Sequence, residues 1–164
     1  MRDRIATTVL ILIAIAVGAF FYKRYHIPPP VDIPSMAVTD LRGQPVSLQA
    51  YSGKPIFVSF FATWCGPCMR ELPDLAALHD MMRDKEMVIM CISDDPIEKL
   101  QVLQSEYGDK LIFLHAAHLH DIGIYTYPTN YIFNASGRKV YSQVNAEKWD
   151  DPGMAERVTV LLDK

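Results

Sequence analysis

Cysteine is scarce in this chain, with three residues in 164. That number excludes a disulfide-stapled scaffold, which needs several bridges to stand in for a core. Basic charge is not in excess either. Lysine and arginine number 16 against 19 acidic residues, for a net charge of −3. Without a basic stripe there is no electrostatic footprint for nucleic acid, and no nucleic-acid partner is expected. No internal repeat occurs, and long apolar runs are confined to one place. The length suits one compact domain plus an appendage.

That one place is the N-terminus. Half the residues are hydrophobic and the mean hydropathy is +0.07. Part of the excess lies in Ile5–Tyr22, which holds no charge and is bracketed by Arg2 and Arg4 before it and Lys23 and Arg24 after it. About 18 residues at roughly 1.5 Å rise nearly span a hydrocarbon core. A cleaved signal peptide is the competing reading, since Ala16, Gly18 and Ala19 are small and lie near its end. The length of the run and its closure by Phe20, Phe21, Tyr22 and two basic residues favour an uncleaved membrane anchor over 1–24. Residues 1–24 carry four basic side chains and one acid, so the chain's net charge of −3 leaves the remaining 140 residues at −6. The basic flanks are similar and do not orient the helix.

Residues 25–35 contain Pro28, Pro29, Pro30 and Pro34. Such clusters favour extended, semi-rigid spacers, so a stalk is expected there. Residues 36–164 then alternate strand and helix signals. Short strands are predicted over 36–41 and 45–48, around a turn at Arg42-Gly43. The nearly continuous apolar run 55–61 predicts a strand buried on both faces. A helix follows over 66–83, with Leu72, Leu75, Ala76, Leu78 and Met82 at three- and four-residue steps. Next come a strand over 87–93, a helix over 97–107 with Asp94 or Asp95 as its N-cap, and a strand over 111–114. Two strands over 129–133 and 139–144 flank the turn residues Asn134-Ala135-Ser136-Gly137, and a helix over 152–162 closes the chain. The pattern predicts an α/β fold, a mixed sheet with helices on both faces.

The sharpest feature is Trp64-Cys65-Gly66-Pro67-Cys68, at the end of a buried strand and the start of a helix. The first turn of a helix offers unpaired N–H groups and the positive end of its dipole. A thiolate there is stabilised, and the thiol pKa falls below the roughly 8.5 of a free cysteine. Cys65 at the tip is the expected nucleophile. Cys68, one turn later, is the expected resolving thiol. Half of a zinc site is the rival reading, but structural zinc needs four ligands and no second Cys pair exists. His115, His118 and His120 lie about 50 residues away in a segment that reads as a polar loop. No metal and no cofactor are expected. Cys91, inside the apolar run 87–92, is expected to be an inert buried thiol.

The segment Phe60-Phe61-Ala62-Thr63-Trp64-Cys65-Gly66-Pro67-Cys68 resembles the active-site segment of the thioredoxin superfamily. Its continuation Glu71-Leu72-Pro73 resembles the TlpA/ResA branch of membrane-anchored bacterial thiol–disulfide oxidoreductases. Asp40-x-x-Gly43-x-x-Val46-x-Leu48, followed by Tyr51-x-Gly53-Lys54-Pro55, resembles the added N-terminal β-hairpin of that branch. Tyr127-Pro128-Thr129, ahead of an apolar strand, is similar to its cis-proline loop. The resemblance covers roughly 36–162. It implies a thioredoxin-like fold with an added hairpin, preceded by a single transmembrane helix.

It also implies roles. The superfamily's buried Asp, six residues before the first active-site Cys, is replaced here by Ser59, whose hydroxyl cannot act as an acid near neutral pH. Glu71 lies three residues after Cys68 on the same helical face. A carboxyl half-buried there has a raised pKa and can exchange protons with Cys68; the alternative is a solvated Glu in an early helical turn. By resemblance Pro128 is cis and packs beside Cys65. Trp64, Gly66, Pro67, Tyr127, Pro128 and Thr129 line a groove for an extended substrate peptide. Pro73 should kink its helix.

The resemblance further implies reduction of protein disulfides outside the cytoplasm, as in cytochrome c maturation. The domain then sits on the periplasmic side of the bacterial inner membrane, re-reduced by a DsbD/CcdA-type membrane donor. The Gly-Pro spacer matches thioredoxin, near −270 mV, rather than the oxidant DsbA, near −120 mV. A disulfide oxidase or isomerase, and a copper-binding assembly protein of Sco type, are the alternatives. Sco proteins carry Cys-x-x-x-Cys, one residue longer than the pair here. The peroxidatic Pro-x-x-x-Thr-x-x-Cys pattern of peroxiredoxins is absent.

Overall fold

The computed structural model describes residues 2–163. Met1, first residue of the expected anchor, and Lys164, last residue of the expected domain, lie outside the described residues. The elements run α1 (Arg2–His26), β1 (Val38–Thr39), β2 (Pro45–Val46), β3 (Ile56–Phe60), α2 (Gly66–Met81), β4 (Val88–Ser93), α3 (Ile97–Tyr107), β5 (Ile112–His115), β6 (Thr129–Phe133), β7 (Lys139–Val144) and α4 (Pro152–Leu162), with short 3₁₀ turns between them. One seven-stranded mixed sheet takes the order β2-β1-β5-β4-β3-β6-β7. The continuous apolar run of β3 suits its place, parallel to β4 on one side and antiparallel to β6 on the other.

Strand alternation sorts the core into two halves. Phe57, Ile89, Phe113 and Ile132 point to one face, with Leu72 and Leu75 of α2, Leu100 of α3 and Val158 of α4. Val58, Phe60, Met90, Ile92 and Tyr131 point to the other. Two successive right-handed parallel crossovers, β3-α2-β4 and β4-α3-β5, run the same way across the sheet and so set both helices on one face. On the second face the cover comes from 3₁₀ turns and from the N-terminal segment, through Ile33, Leu48 and Leu119.

The hairpin β1–β2 turns on Asp40. Its Oδ1 accepts the backbone N–H groups of Arg42 (2.8 Å) and Gln44 (2.9 Å), bonds that hold its carboxyl below the usual carboxylate range. Gly43, at φ 76°, occupies the left-handed step of that turn. Helix α2 ends at Met81, two residues before the predicted Arg83; a 3₁₀ turn over Arg83–Lys85 follows it. Pro73 lies inside α2 and supplies no N–H to its ladder.

Two expectations need correction. Neither Asp94 nor Asp95 caps α3. Pro96 occupies the N-cap position and makes no side-chain cap bond; the Asp95 carboxylate is engaged with the loop before Cys65. The proline segment is not a uniform extended spacer and does not hang free: Tyr25 and His26 still belong to α1, and Ile33–Ser35 form a 3₁₀ turn. Ile33 is 3% exposed and joins the core. The Tyr131 hydroxyl donates to the Pro29 carbonyl at 2.8 Å, and Thr126 Oγ1 donates to the Tyr25 carbonyl at 3.3 Å. Composition sees the stiffness of such a stretch but not the tertiary surface that receives it. Within α1, Thr7–His26 is long and apolar enough to cross a membrane, and all of its residues are exposed.

Candidate active site

Strand β3 delivers the chain to the C-terminal edge of the sheet, and α2 begins there. Cys65 is the N-cap of α2, with extended backbone; its Sγ accepts the backbone N–H of Cys68 at 3.3 Å. One of the four orphan donors of the helix start is thereby satisfied by sulfur, and charge on that sulfur faces the positive end of the helix. Cys65 and Cys68 are joined as a disulfide, with Cα atoms 5.3 Å apart. Pro67 falls in the first turn, where its missing N–H costs nothing.

The loop before β6 closes over Cys65. The Tyr127–Pro128 peptide is cis, and the Tyr127 carbonyl oxygen lies 3.6 Å from Cys65 Sγ. The Trp64 ring is 72% exposed and packs edge-on against Tyr127, with centroids 5.8 Å apart. Burial, followed by the charges of Asp94 and Asp95, pushes the Tyr127 hydroxyl up to about 12, so it stays protonated at physiological pH. Trp64, Cys65, Gly66, Pro67 and the Tyr127-Pro128 turn thus share one edge. Thr129 does not line that surface. It is buried, and its hydroxyl donates to the Thr126 carbonyl at 2.7 Å, tying the loop from beneath.

Glu71, three residues after Cys68 on α2, is only 2% exposed, far more buried than an early helical turn suggests. Three N–H groups converge on its Oε1: Asn130 Nδ2 at 2.9 Å, the Glu147 backbone at 3.0 Å and Trp149 Nε1 at 2.7 Å. Oε2 is buried without a partner. Burial raises the Glu71 pKa, and the three donors oppose that rise without cancelling it. Ser59 is buried on β3 between Cys91 of β4 and Asn130 of β6, in one row across the sheet. The Cys91 thiol is fully buried and its pKa is driven far up by that burial, with Glu71 adding to it.

Sequence reasoning missed Trp149, Asn130 and Asp95. Trp149 sits in the charged stretch Glu147-Lys148-Trp149-Asp150-Asp151. A tryptophan among charges, outside any predicted element, is the one signal that could have marked it. The predicted His115, His118 and His120 do not converge with the cysteines: His120 stacks on Tyr125, and His118 takes a left-handed backbone. Among the described residues no group of three or more His, Cys, Asp or Glu side chains is arranged to hold a metal ion.

The chain is similar to known proteins over most of its length. The AhpC/TSA family matches residues 31–164. The thiol-disulfide oxidoreductase ResA of Bacillus thuringiensis (strain Al Hakam) is 28% identical over 158 residues, covering 90% of this chain and 91% of that protein. ResA of Bacillus anthracis matches to the same extent. Among solved structures, a Chlorobium tepidum chain described as a thiol:disulfide interchange protein of DsbE type superposes with a TM-score of 0.67 at 16% identity, over 82% of this chain and 98% of that one. Copper-bound ScoI of Arabidopsis thaliana gives 0.65 at 19%, over 80% and 99%. At these identities the two structures speak for the fold alone, which is thioredoxin-like.

Proposed function

The chain belongs to the AhpC/TSA family, and from that premise, with ResA thiol–disulfide oxidoreductases as its relatives, we propose that it is a membrane-tethered reductant of protein disulfides working through Cys65 and Cys68. The observation that carries the reading is the Cys65–Cys68 disulfide at the N-cap of α2, under the Tyr127 carbonyl. A dithiol placed there has a stabilised leaving and attacking sulfur and a backbone edge for a peptide.

The cycle balances as follows. Cys65 thiolate attacks one sulfur of a substrate disulfide; a mixed disulfide forms and one substrate thiolate leaves. Cys68 gives its proton to Glu71 and attacks Cys65 Sγ. The second substrate thiolate departs and is protonated. Two electrons pass to the substrate, and the enzyme ends as the Cys65–Cys68 disulfide. A dithiol donor of DsbD/CcdA type at the membrane reverses that last state. α1 serves as the anchor, in the bacterial inner membrane with the domain on the periplasmic side. Its length and apolar surface support this role.

Substrate trapping tests the reading. A Cys68→Ser chain, expressed with its anchor, should accumulate a mixed disulfide on Cys65 with an extracytoplasmic protein. Recovery of no such adduct counts against a protein-disulfide substrate. A reduction potential above about −200 mV would move the reading to an oxidase or isomerase, and tight stoichiometric copper binding by the reduced chain would move it to a metal carrier.

A further inference from the structure

We propose that Asn130, the Glu147 backbone and Trp149 form a positioning cradle that holds Glu71 by Oε1 alone, so that Oε2 is the oxygen that carries the proton exchanged with Cys68. The inference rests on the dithiol reading above and adds residues to it. The argument is one of valence. A neutral carboxyl has one carbonyl oxygen and one hydroxyl. An oxygen that accepts three N–H groups at 2.7–3.0 Å has no lone pair left for a proton of its own. The proton is therefore confined to Oε2, the oxygen that is buried without a partner.

The cradle does two jobs at once. It fixes the carboxyl, because its three donors come from two separate elements: Asn130 of β6, and Glu147 and Trp149 of the segment after β7, the Trp149 indole itself packed edge-on against Phe57 at 4.8 Å. It also lends the ionised form hydrogen bonds that a dry site otherwise withholds, so a group under this much apolar cover can still give up its proton. Other titratable groups face Glu71. Asp74 on its own helix opposes ionisation. Cys91 on β4 and Tyr141 on β7 are both pushed upward in part by the Glu71 charge. The Glu147 side chain turns away to accept from the Tyr141 hydroxyl at 3.2 Å. Cys68 lies on the same face of α2. None of these reaches Oε1, which the three N–H groups occupy.

The test uses the full chain in detergent micelles, in the disulfide form, where neither Cys65 nor Cys68 titrates. Infrared difference spectra across pH isolate the carboxyl band that Glu71→Gln abolishes. Its frequency reports how many donors the carbonyl oxygen accepts. Trp149→Phe keeps a ring but loses the N–H. It should move the band to higher frequency and raise its titration midpoint by roughly one pH unit, and Asn130→Ala should shift both in the same direction. A folded variant whose band and midpoint coincide with the unaltered chain overturns the cradle. A measurement on the unaltered chain guards against misfolded variants. The Trp149 Nε1–H resonance should follow the Glu71 titration and lose that pH dependence in Glu71→Gln; a resonance indifferent to pH overturns the proposal equally. Insulin-disulfide reduction by the unaltered chain is read alongside. Its failure defeats the reductase reading, while the carboxyl band still reports on the cradle.

Discussion

Asp95 holds Thr63 by its backbone N–H, across 32 residues of sequence. The same Oδ2 accepts from Ser93 Oγ at 3.0 Å, and Ser93 Oγ in turn accepts the Asp95 N–H at 3.1 Å. Asp95 is buried, so its carboxyl oxygens are satisfied by these donors rather than by water. The bond to Thr63 pins the turn between β3 and α2, two residues ahead of Cys65. The end of β4 thereby sets where the N-cap of α2 begins, a link between neighbouring strands that works through a carboxylate rather than the sheet ladder.

Removing that carboxylate should loosen the turn. Asp95→Ala takes the acceptor from the part-buried Thr63 N–H and from the buried Ser93 O–H, at a cost of about 1.5–3 kcal/mol. Asp95→Asn keeps an acceptor oxygen and should recover at least half of the loss. Urea unfolding of the three chains measures this. An Asp95→Ala midpoint equal to that of the unaltered chain would show the tie to be idle.

The cysteine pair and most strands were legible because their signals are local. An unbroken apolar run names β3, and Cys-Gly-Pro-Cys at its end names the helix start. The environment of Glu71 was not legible, because it is assembled from Asn130 and Trp149, 59 and 78 residues away. No periodicity reports a hydrogen bond between a helix and a loop after β7. Asp95 shows the same limit from the other side. Its position before Pro96 fits a helix cap by every local rule, and tertiary structure spends the carboxylate on Thr63 instead. Composition gives the proline segment its stiffness, yet Ile33 inside it carries the contact that decides its place.

Ile33 gives that contact a measurable weight. A residue of a free stalk tolerates truncation, whereas a side chain 3% exposed, packed in the core beside the sheet, does not. Ile33→Ala should cost about 2–4 kcal/mol, the range for deleting a buried aliphatic side chain. Val31→Ala, at a partly buried neighbour, should cost less. Thermal unfolding in detergent checks the pair. Equal melting temperatures for Ile33→Ala and the unaltered chain would return 25–35 to the role of a spacer.

Glu71 should also write itself into the pH dependence of stability. Burial raises its folded-state pKa above the ordinary value near 4.5, and the N–H groups of Glu147, Trp149 and Asn130 only partly offset this. An acid with a raised pKa binds its proton more tightly in the folded chain. Its contribution is complete below the unfolded-state pKa and is lost as pH rises through the folded one. Glu71→Gln has no proton to lose. The unfolding free energy of the native sequence minus that of Glu71→Gln should therefore fall as pH climbs above about 4.5, by up to about 1.4 kcal/mol per pH unit, and level off once Glu71 is ionised. Asp74 has a raised pKa as well, chiefly from burial. It titrates in both chains, so its contribution to the difference largely cancels. Urea unfolding of both chains in the disulfide form at pH 4, 6 and 8 supplies the curve. Parallel profiles would mean that Glu71 titrates alike in the folded and unfolded chains, and would remove it as the proton acceptor for Cys68.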